Sequence, residues 1–345
     1  MNPDLPPPGT AARPSELRER VGDLRQLCRI DRLQHDDGPA RGARLLRMVT
    51  GGGLEVELHP DRCLDIGHVT WRGQPLAWAS PAPVAAPALS EPGGGGWLRT
   101  FAGGLLTTCG LDHFGAPSQD GAVTFGLHGR AASLAAQHLS SRCEPSSDGS
   151  VRLEVSAEMR QAALFGENLR LVRTIESAFG SASFTVTDSV TNLGRDPQPH
   201  MLLYHVNLGW PLVGPDGEVA IPSTQVVPRD AAAAEGLASS HTVPPPQPRW
   251  EEQVLRHDLP PDAPVTVRVT NPAAQLALSL RFSATALPHL FQWRHLRAGA
   301  YVLGLEPANC PVIQGRGAAR EAGVLPVLEP GESREYALEF TAADA

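Results

Sequence analysis

One glutamate has the surroundings of a catalytic base. Glu306 ends the apolar run YVLGL and directly precedes Pro307. Burying a carboxylate in such a run is costly unless the group has a partner or a task. Loss of hydration also raises the pKa of a carboxyl group toward neutrality, which suits a group that takes up and releases a proton near pH 7. The sequence therefore predicts Glu306 as a general base.

A histidine lies in a similar apolar segment. His205 follows the letters HMLLY and precedes VNLGW. Imidazole can act as an acid or a base near neutral pH because its ordinary pKa lies there. Histidines in apolar strands also serve as hydrogen-bonded core residues, and the residue types alone favour that structural role for His205. Both interpretations stay open at this point.

A third group of polar residues lies in RTFAGGLLTTCGLDHFGAPSQDGAVTFGLHGR, at residues 99–130. The glycines allow the backbone to turn tightly beside a ligand, and Arg and His side chains supply donors for hydroxyl groups. A glycine-rich series of turns with solvated charges is the alternative. The candidate residues are Arg99, Cys109, Asp112, His113, Asp120, His128 and Arg130.

The histidines do not show the spacing of a metal site. None of the twelve belongs to an HExxH or HxH pair. His200 and His205 are five residues apart, which places them on opposite faces of a strand. We therefore predict no metal, and metal-assisted catalysis by His59, His200, His205 or Glu306 is the less favoured alternative.

The composition narrows the possible functions. The net charge is -8 and all 29 basic residues are arginine, so a polyanionic partner such as nucleic acid is not expected. Without lysine, the chain cannot form a Schiff base or a Walker A loop, and we predict no cofactor. The five cysteines form no CxxC pair, and no apolar segment has the length of a membrane span. The expectation is a cytoplasmic protein without a disulfide framework or a membrane partner.

The elements that must position these residues are strands. Residues 1–13 are rich in proline and predict a disordered tail, and Ser15 begins a short helical pattern. From about residue 43, short apolar runs alternate with Gly, Pro, Asp and Asn, and Phe184, Val186 and Val190 share one face of a strand. Residues 80–97 and 228–250 are predicted to be surface connections. We predict one all-β, mostly antiparallel domain over residues 14–345. Exposed strands at the edge of a sheet can pair with a second copy of the chain, so the expectation is a monomer or a homodimer.

Several segments, in order, resemble the aldose 1-epimerase (galactose mutarotase-like) superfamily, in particular a poorly characterised bacterial branch. The resemblance covers roughly residues 45–345 and implies a β-supersandwich fold. The matching segments are RCLDIGHVTWRGQPLAW, GWLRTFAGGLLTTCGL, FGLHGR, RTIESAFGSASFTVTDSVTNLG, PHMLLYHVNLGWP and YVLGLEPANC.

The resemblance also implies residue roles. His205 in YHVNL is similar to the mutarotase general acid, Glu306 in GLEPAN to the general base, and His128 in LHGR to the second active-site histidine. Mutarotases have an arginine near the counterpart of GGLL, and the candidates for it in this sequence are Arg99 and Arg62. The Asp-His-Asn-Phe stretch of many galactose mutarotases has no match here, so the resemblance does not specify galactose.

Residue types suggest further contacts with a sugar. Asn207, Gln292 and Asp112 could bind hydroxyl groups, and Trp293, Trp97 or Trp210 could stack on the apolar side of a pyranose. The prediction is an isomerase of the mutarotase type acting on a small carbohydrate. The alternatives are a keto-sugar isomerase or lyase with the same acid and base, and a non-catalytic carbohydrate-binding protein.

Overall fold

The computed structural model describes residues 17, 19–146, 150–261 and 263–345. The predicted tail and the predicted cap at Ser15 lie outside them. Within the segment predicted to be helical, Leu17 is helical and a 3-10 turn covers Leu24–Gln26. The Asp23 carboxylate accepts a hydrogen bond from the Arg25 N–H and caps this turn.

Strands dominate the described part of the chain. They are β1 (Arg29–Gln34), β2 (Arg44–Val49), β3 (Leu54–His59), β4 (Asp65–Trp71), β5 (Gln74–Pro75), β6 (Leu106–Cys109), β7 (Ser118–Asp120), β8 (Val123–Phe125), β9 (Gln137–Pro145), β10 (Val151–Ala162), β11 (Asn168–Ala178), β12 (Ser183–Asn192), β13 (Gln198–Pro199), β14 (Leu203–Leu208), β15 (Glu218–Ala220), β16 (Gln225–Pro228), β17 (Gln253–Asp258), β18 (Pro264–Asn271), β19 (Leu276–Ser283), β20 (His289–His295), β21 (Val302–Ala308), β22 (Val327–Leu328) and β23 (Ser333–Ala343).

The helices are short. Two α-helices are described, α1 (Ala231–Gly236) and α2 (Arg316–Glu321). Further 3-10 turns cover Gly38–Ala40, Pro87–Leu89, Gly96–Arg99, Ala131–Ser133, Leu237–Ser239 and Pro272–Ala274.

Two antiparallel sheets form the body of the described chain. The larger has 11 strands in the order β1-β2-β3-β4-β6-β14-β21-β20-β17-β16, with β5 beside β4. The smaller has eight, in the order β15-β18-β19-β23-β12-β11-β10-β9. Every second residue of β10 is buried while those between are more accessible, the pattern of a strand with one face on a core. The all-β, antiparallel prediction is confirmed.

The main hydrophobic core draws residues from Cys28 to Ala342 and includes side chains of both sheets. A buried polar group also links the sheets. Arg173 of the smaller sheet pairs with Asp188 at 2.7 Å and with Asp65 of the larger sheet at 2.8 Å. The Tyr204 hydroxyl donates to Asp188. Because each charge has a partner, this group can be buried without a lone charge.

A second, smaller core lies on the face of the larger sheet occupied by Leu203 and Phe291. The main core contains Tyr204 and Val206, whose side chains point to the opposite face of β14 because neighbours in a strand alternate. His205 and Leu203 therefore face the second core. Trp97 and Phe101 from the loop before β6 cover it. Residues 80–97, predicted to be a surface connection, end at Trp97, which is 7% exposed and packs into the second core.

Candidate active site

His205 and Glu306 lie side by side on neighbouring strands. Val206 lies opposite Leu305, and Leu203 opposite Ala308, so the register places His205 of β14 opposite Glu306 of β21. Directly opposed residues of an antiparallel pair project from the same face. The His205 Nε2 and Glu306 Oε1 atoms are 3.3 Å apart. The strand pairing thus joins two residues that are far apart in sequence.

Both groups are withdrawn from water. Glu306 is 2% exposed and His205 is 4% exposed. Burial raises the pKa of Glu306 well above its ordinary value, and the nearby Glu252 carboxylate adds to the rise. Burial lowers the pKa of His205 to about 4. Both shifts favour the uncharged forms, a carboxylic acid beside a neutral imidazole, which together hold one transferable proton.

Aromatic rings surround His205. The Phe101 ring centroid lies 5.2 Å from the imidazole, the Trp293 centroid 5.3 Å and the Trp97 centroid 6.0 Å. Trp97 also stacks on Phe101 at 4.2 Å. These apolar walls exclude water and explain the low pKa of the imidazole.

His128 completes the histidine pair that the sequence suggested. Its ring lies 5.5 Å from that of His205 and 4.6 Å from Trp97. Its backbone φ is 58°, a left-handed conformation that is uncommon outside glycine and asparagine. The buried Nδ1 atoms of His128 and of His205 have no hydrogen-bond partner among the described residues. Both atoms lie inside the protein with almost no exposed surface.

A cavity of about 510 Å³ opens onto these side chains. Its size and apolar lining with a few polar groups are typical of small-molecule sites. Five predicted residues line it, Glu306, His205, His128, Trp293 and Trp97. The lining also includes Trp78, Ser80, Phe101, Arg229, Glu252, His295 and Gln314.

The two predicted arginines lie elsewhere. The Arg99 side chain is 75% exposed and pairs with Glu91 at 3.4 Å, because it points away from the buried side of the turn that carries Trp97. Arg62 is buried and lines a separate cavity. Neither arginine reaches the cavity at Glu306.

Three other predicted contacts also lie outside this cavity. The Asn207 amide donates to the Gly104 and His205 carbonyl oxygens. The Gln292 amide donates to the Ser240 carbonyl, and its Oε1 faces His257. The carboxylate of Asp112 accepts bonds from Gln161 and Arg316, which orders loops beyond the cavity. Trp210 is also absent from the lining and is 70% exposed.

The sequence reasoning missed an ion pair in the cavity wall. Arg229 lies 2.9 Å from Glu252, and Arg229 also pairs with Asp230 at 2.7 Å. The Trp293 indole N–H donates to Glu252 over 2.8 Å. Arg229 and Asp230 belong to the segment predicted to be a surface connection. An arginine beside a helix-capping aspartate was the only local signal, and it points to a helix start rather than to a site.

Two of the residues named for a metal site, His59 and His200, lie away from the pair of His205 and Glu306. His59 lies in the separate cavity with Arg62. The His200 imidazole contacts the Leu111 carbonyl oxygen and the Tyr336 hydroxyl, so both ring nitrogens are engaged. In the described part of the chain, no group of three or more His, Cys, Asp or Glu side chains is arranged to hold a metal ion.

No helix among the described residues is both long and apolar enough to cross a membrane. The five cysteines are free thiols, and the Cys28 and Cys143 sulfur atoms are 3.9 Å apart.

A family model described as a domain of unknown function, DUF4432, matches residues 40–342. A comparison with curated proteins finds no match. The fold is similar to a Klebsiella pneumoniae crystal structure provisionally described as an aldose 1-epimerase, with 24% identity, a TM-score of 0.84, and coverage of 91% of this chain and 83% of that one.

Two further structures share the fold. A galactose mutarotase-like protein from Clostridium acetobutylicum has 12% identity and a TM-score of 0.63, and the match covers 93% of this chain and 100% of that one. A galactose 1-epimerase from Lactobacillus acidophilus has 11% identity and a TM-score of 0.61, covering 92% and 99%. The galactose mutarotase-like fold predicted from the sequence is confirmed.

Proposed function

The chain belongs to the DUF4432 family of domains of unknown function, and we propose that it is a mutarotase-type isomerase that interconverts the anomers of a sugar. Glu306 is the general base and His205 the general acid. The observation that carries this proposal is the 3.3 Å contact between their side chains at the wall of an aromatic-lined cavity.

Ring opening needs two proton transfers. Glu306 as carboxylate takes the proton of the anomeric hydroxyl, while the bond between the anomeric carbon and the ring oxygen breaks. The electron pair of that bond moves to the ring oxygen, which receives a proton from the His205 imidazolium. Rotation about the bond next to the carbonyl and the reverse transfers give the other anomer.

The uncharged pair of Glu306 and His205 holds as many protons as the two transfers require. A carboxylic acid beside a neutral imidazole and a carboxylate beside an imidazolium contain the same number of protons. The reactive form therefore arises from the uncharged form by moving one proton from Glu306 to His205, without exchange with solvent. Ring opening returns the pair to the uncharged form, which burial favours.

The rest of the cavity suits a sugar. Trp78, Trp97, Trp293 and Phe101 offer apolar faces on which a pyranose ring can stack. Arg229 and Glu252 supply a donor and an acceptor for hydroxyl groups on the wall shared with Trp293. His128 adds a nitrogen without a partner next to His205. These contacts would orient the ring with its anomeric end at Glu306.

Proton NMR in D₂O on a panel of aldoses, ketoses and uronates tests the proposal. We expect faster exchange between the anomers of at least one sugar, with no deuterium entering at carbon. Deuterium at the carbon next to a carbonyl would instead identify a keto-sugar isomerase or lyase, because those reactions move a C–H proton. Sugar binding without accelerated exchange would identify a non-catalytic binding protein, and either result would refute the mutarotase proposal.

A further inference from the structure

A second cavity adjoins the first. It has a volume of about 170 Å³ and shares Trp78 and Phe101 with the cavity at Glu306, so these two side chains form a common wall. The hairpin between β3 and β4, with the sequence HPDRCLD, contributes His59 and Arg62 to its lining. None of the proposed catalytic groups lines this second cavity.

Arg62 is a buried cation that interacts with the Asp65 carboxylate through space and not by direct contact. It is 9% exposed, and its guanidinium donates to the Ala85 carbonyl at 3.4 Å and to the Thr100 carbonyl at 3.0 Å. It forms no ion pair with any carboxylate in the described part of the chain. Burial lowers the pKa of Arg62, so the protein bears a cost for holding this charge.

Two other buried arginines have acceptors that offset the cost of burying a guanidinium charge. Arg173 is paired with Asp188 and Asp65. Arg294 donates to the carbonyl oxygens of Gly236, Ser239 and Thr242 and to Gln253, so four acceptors surround it. A guanidinium has five N–H donors, and the hydrogen bonds of Arg62 to described residues are the two to the Ala85 and Thr100 carbonyl oxygens. The remaining donors are available to a ligand in the cavity.

His59 supplies a second donor in the same cavity. It is 8% exposed and stacks on His35 with ring centroids 6.0 Å apart. Among the described residues, its imidazole makes no side-chain hydrogen bond. A Cβ atom at Gly67 would lie 2.1 Å from His59 Nε2, so only glycine leaves the imidazole room there. Packing against His35 and Gly67 holds the ring in position, and no side-chain hydrogen bond among the described residues does so.

The charges around His59 favour an anion. Burial, His35 and Arg62 lower its pKa to about 4. The other charged or titratable residues that line the cavity are Glu57, Asp65 and His68. The Asp65 carboxylate is bound by Arg173 and by the Thr108 N–H and hydroxyl, so it does not neutralise Arg62 by contact. Glu57 is half-buried, and it is not among the groups that shift the pKa of His59, which are burial, His35 and Arg62.

We propose that this second cavity is an oxyanion site, in which Arg62 and His59 bind a phosphate or carboxylate group. A guanidinium fork matches the paired oxygens of such groups, and a bound anion would supply the direct charge contact that Arg62 lacks. The site does not depend on the mutarotase activity. Its oxyanion comes either from a free ion or from an acidic substituent on a sugar whose ring occupies the neighbouring cavity.

Inorganic phosphate and acetate are the probes for the free ion. We expect at least one of them to raise the Tm of the wild-type protein and to bind at least tenfold more weakly to Arg62→Gln in calorimetry. Arg281→Gln is the matched control, because Arg281 is 57% exposed on the surface of the smaller sheet. Equal binding by wild type and Arg62→Gln would overturn the proposal.

His59 provides a readout that does not depend on the folding of a variant. In wild-type protein, a bound oxyanion should raise the pKa of His59, measured from its imidazole NMR signal with and without the ion. To distinguish the two sources, glucose 6-phosphate and glucuronate are compared with glucose. Tighter binding of an acidic sugar that depends on Arg62 assigns the substituent as the source. If neither the free ions nor the acidic sugars perturb the His59 signal, the oxyanion site does not exist.

Discussion

The His205 imidazole and the Glu306 carboxyl group contact each other through Nε2 and Oε1 at 3.3 Å, with the side chains on one face of two adjacent strands. The hydrogen-bonded strands fix this distance, because neither residue lies on a loop. A proton can pass between them without a change in the net charge of the cavity. In the proposed mechanism, this contact couples the two proton transfers of ring opening.

Replacement of the base should remove the activity. In Glu306→Gln, a carboxamide of nearly the same size replaces the carboxyl group and cannot accept a proton, so we expect kcat/KM for anomer exchange to fall by about 10²–10⁴-fold. Polarimetry with a purified α-anomer measures it. Glu339→Gln is the control, since that side chain lies on the smaller sheet in an exposed pair with Arg281. Unchanged activity of Glu306→Gln would mean that the base is misassigned.

Replacement of the proposed acid, His205, should lower kcat. His205→Asn keeps a polar side chain but removes the transferable proton, and a loss of about 10²-fold or more is expected. A rise in KM with unchanged kcat would instead assign His205 to substrate binding.

The activity should be insensitive to pH around neutrality. Because burial lowers the pKa of His205 to about 4 and raises that of Glu306, the pair keeps a single transferable proton over a wide interval. We expect kcat/KM, corrected for the folded fraction, to stay constant from pH 7 down to pH 5. A decrease centred on the ordinary histidine pKa of about 6.5 would contradict the buried, uncharged state of His205.

The aromatic wall should contribute to binding. Trp293→Ala removes a ring that lines the cavity beside His205, and the loss of stacking should raise KM by about 3- to 10-fold. Trp210→Ala is the matched control, because Trp210 is 70% exposed and does not line the cavity. The same KM for both variants would show that the sugar does not stack on Trp293.

The free energy of unfolding should decrease as the pH falls below about 6.5. Burial lowers the folded-state pKa to about 4 in five histidines, His59, His113, His200, His205 and His257. As the pH falls, these histidines become protonated in the unfolded chain near pH 6.5 and in the folded protein only near pH 4. Their full contribution to stability is therefore present above the unfolded pKa and is lost as the pH falls toward 4. Each such histidine lowers the free energy of unfolding by about 1.4 kcal/mol per pH unit in that interval.

Urea unfolding at pH 7, 6 and 5 measures this slope. His257→Gln should reduce it, because His257 is 3% exposed, whereas His241→Gln should not, because His241 is exposed. The same stability at all three pH values in the wild-type protein would show that these histidines are not buried in solution.

The sequence indicated the strands and the buried carboxyl group of Glu306 because both depend on local patterns. Alternation along β10 and β12 predicts strands with one buried face, and the position of Glu306 in an apolar run marks it as costly to bury. The role of His205 came from the resemblance, since its residue chemistry favoured a core position.

Other parts of the site could not be read from the sequence. The contact of His205 with Glu306 depends on which strands pair and in which register, and a pattern within one strand does not specify its partner. Arg99 was misplaced because a short 3-10 turn decides which of its residues point inward, and Trp97 does. Arg229 and Glu252 meet across chain segments that show no periodic pattern.

Two-dimensional exchange NMR on the sugar identified by the panel tests the central claim most directly, with wild-type protein and Glu306→Gln compared at equal occupancy. We predict exchange peaks between the α- and β-anomers for the wild-type protein and only the spontaneous rate for Glu306→Gln, although both bind the sugar. Exchange by Glu306→Gln at the wild-type rate, or no exchange above the spontaneous rate by the wild-type protein, would contradict the assignment of Glu306 and His205 as base and acid.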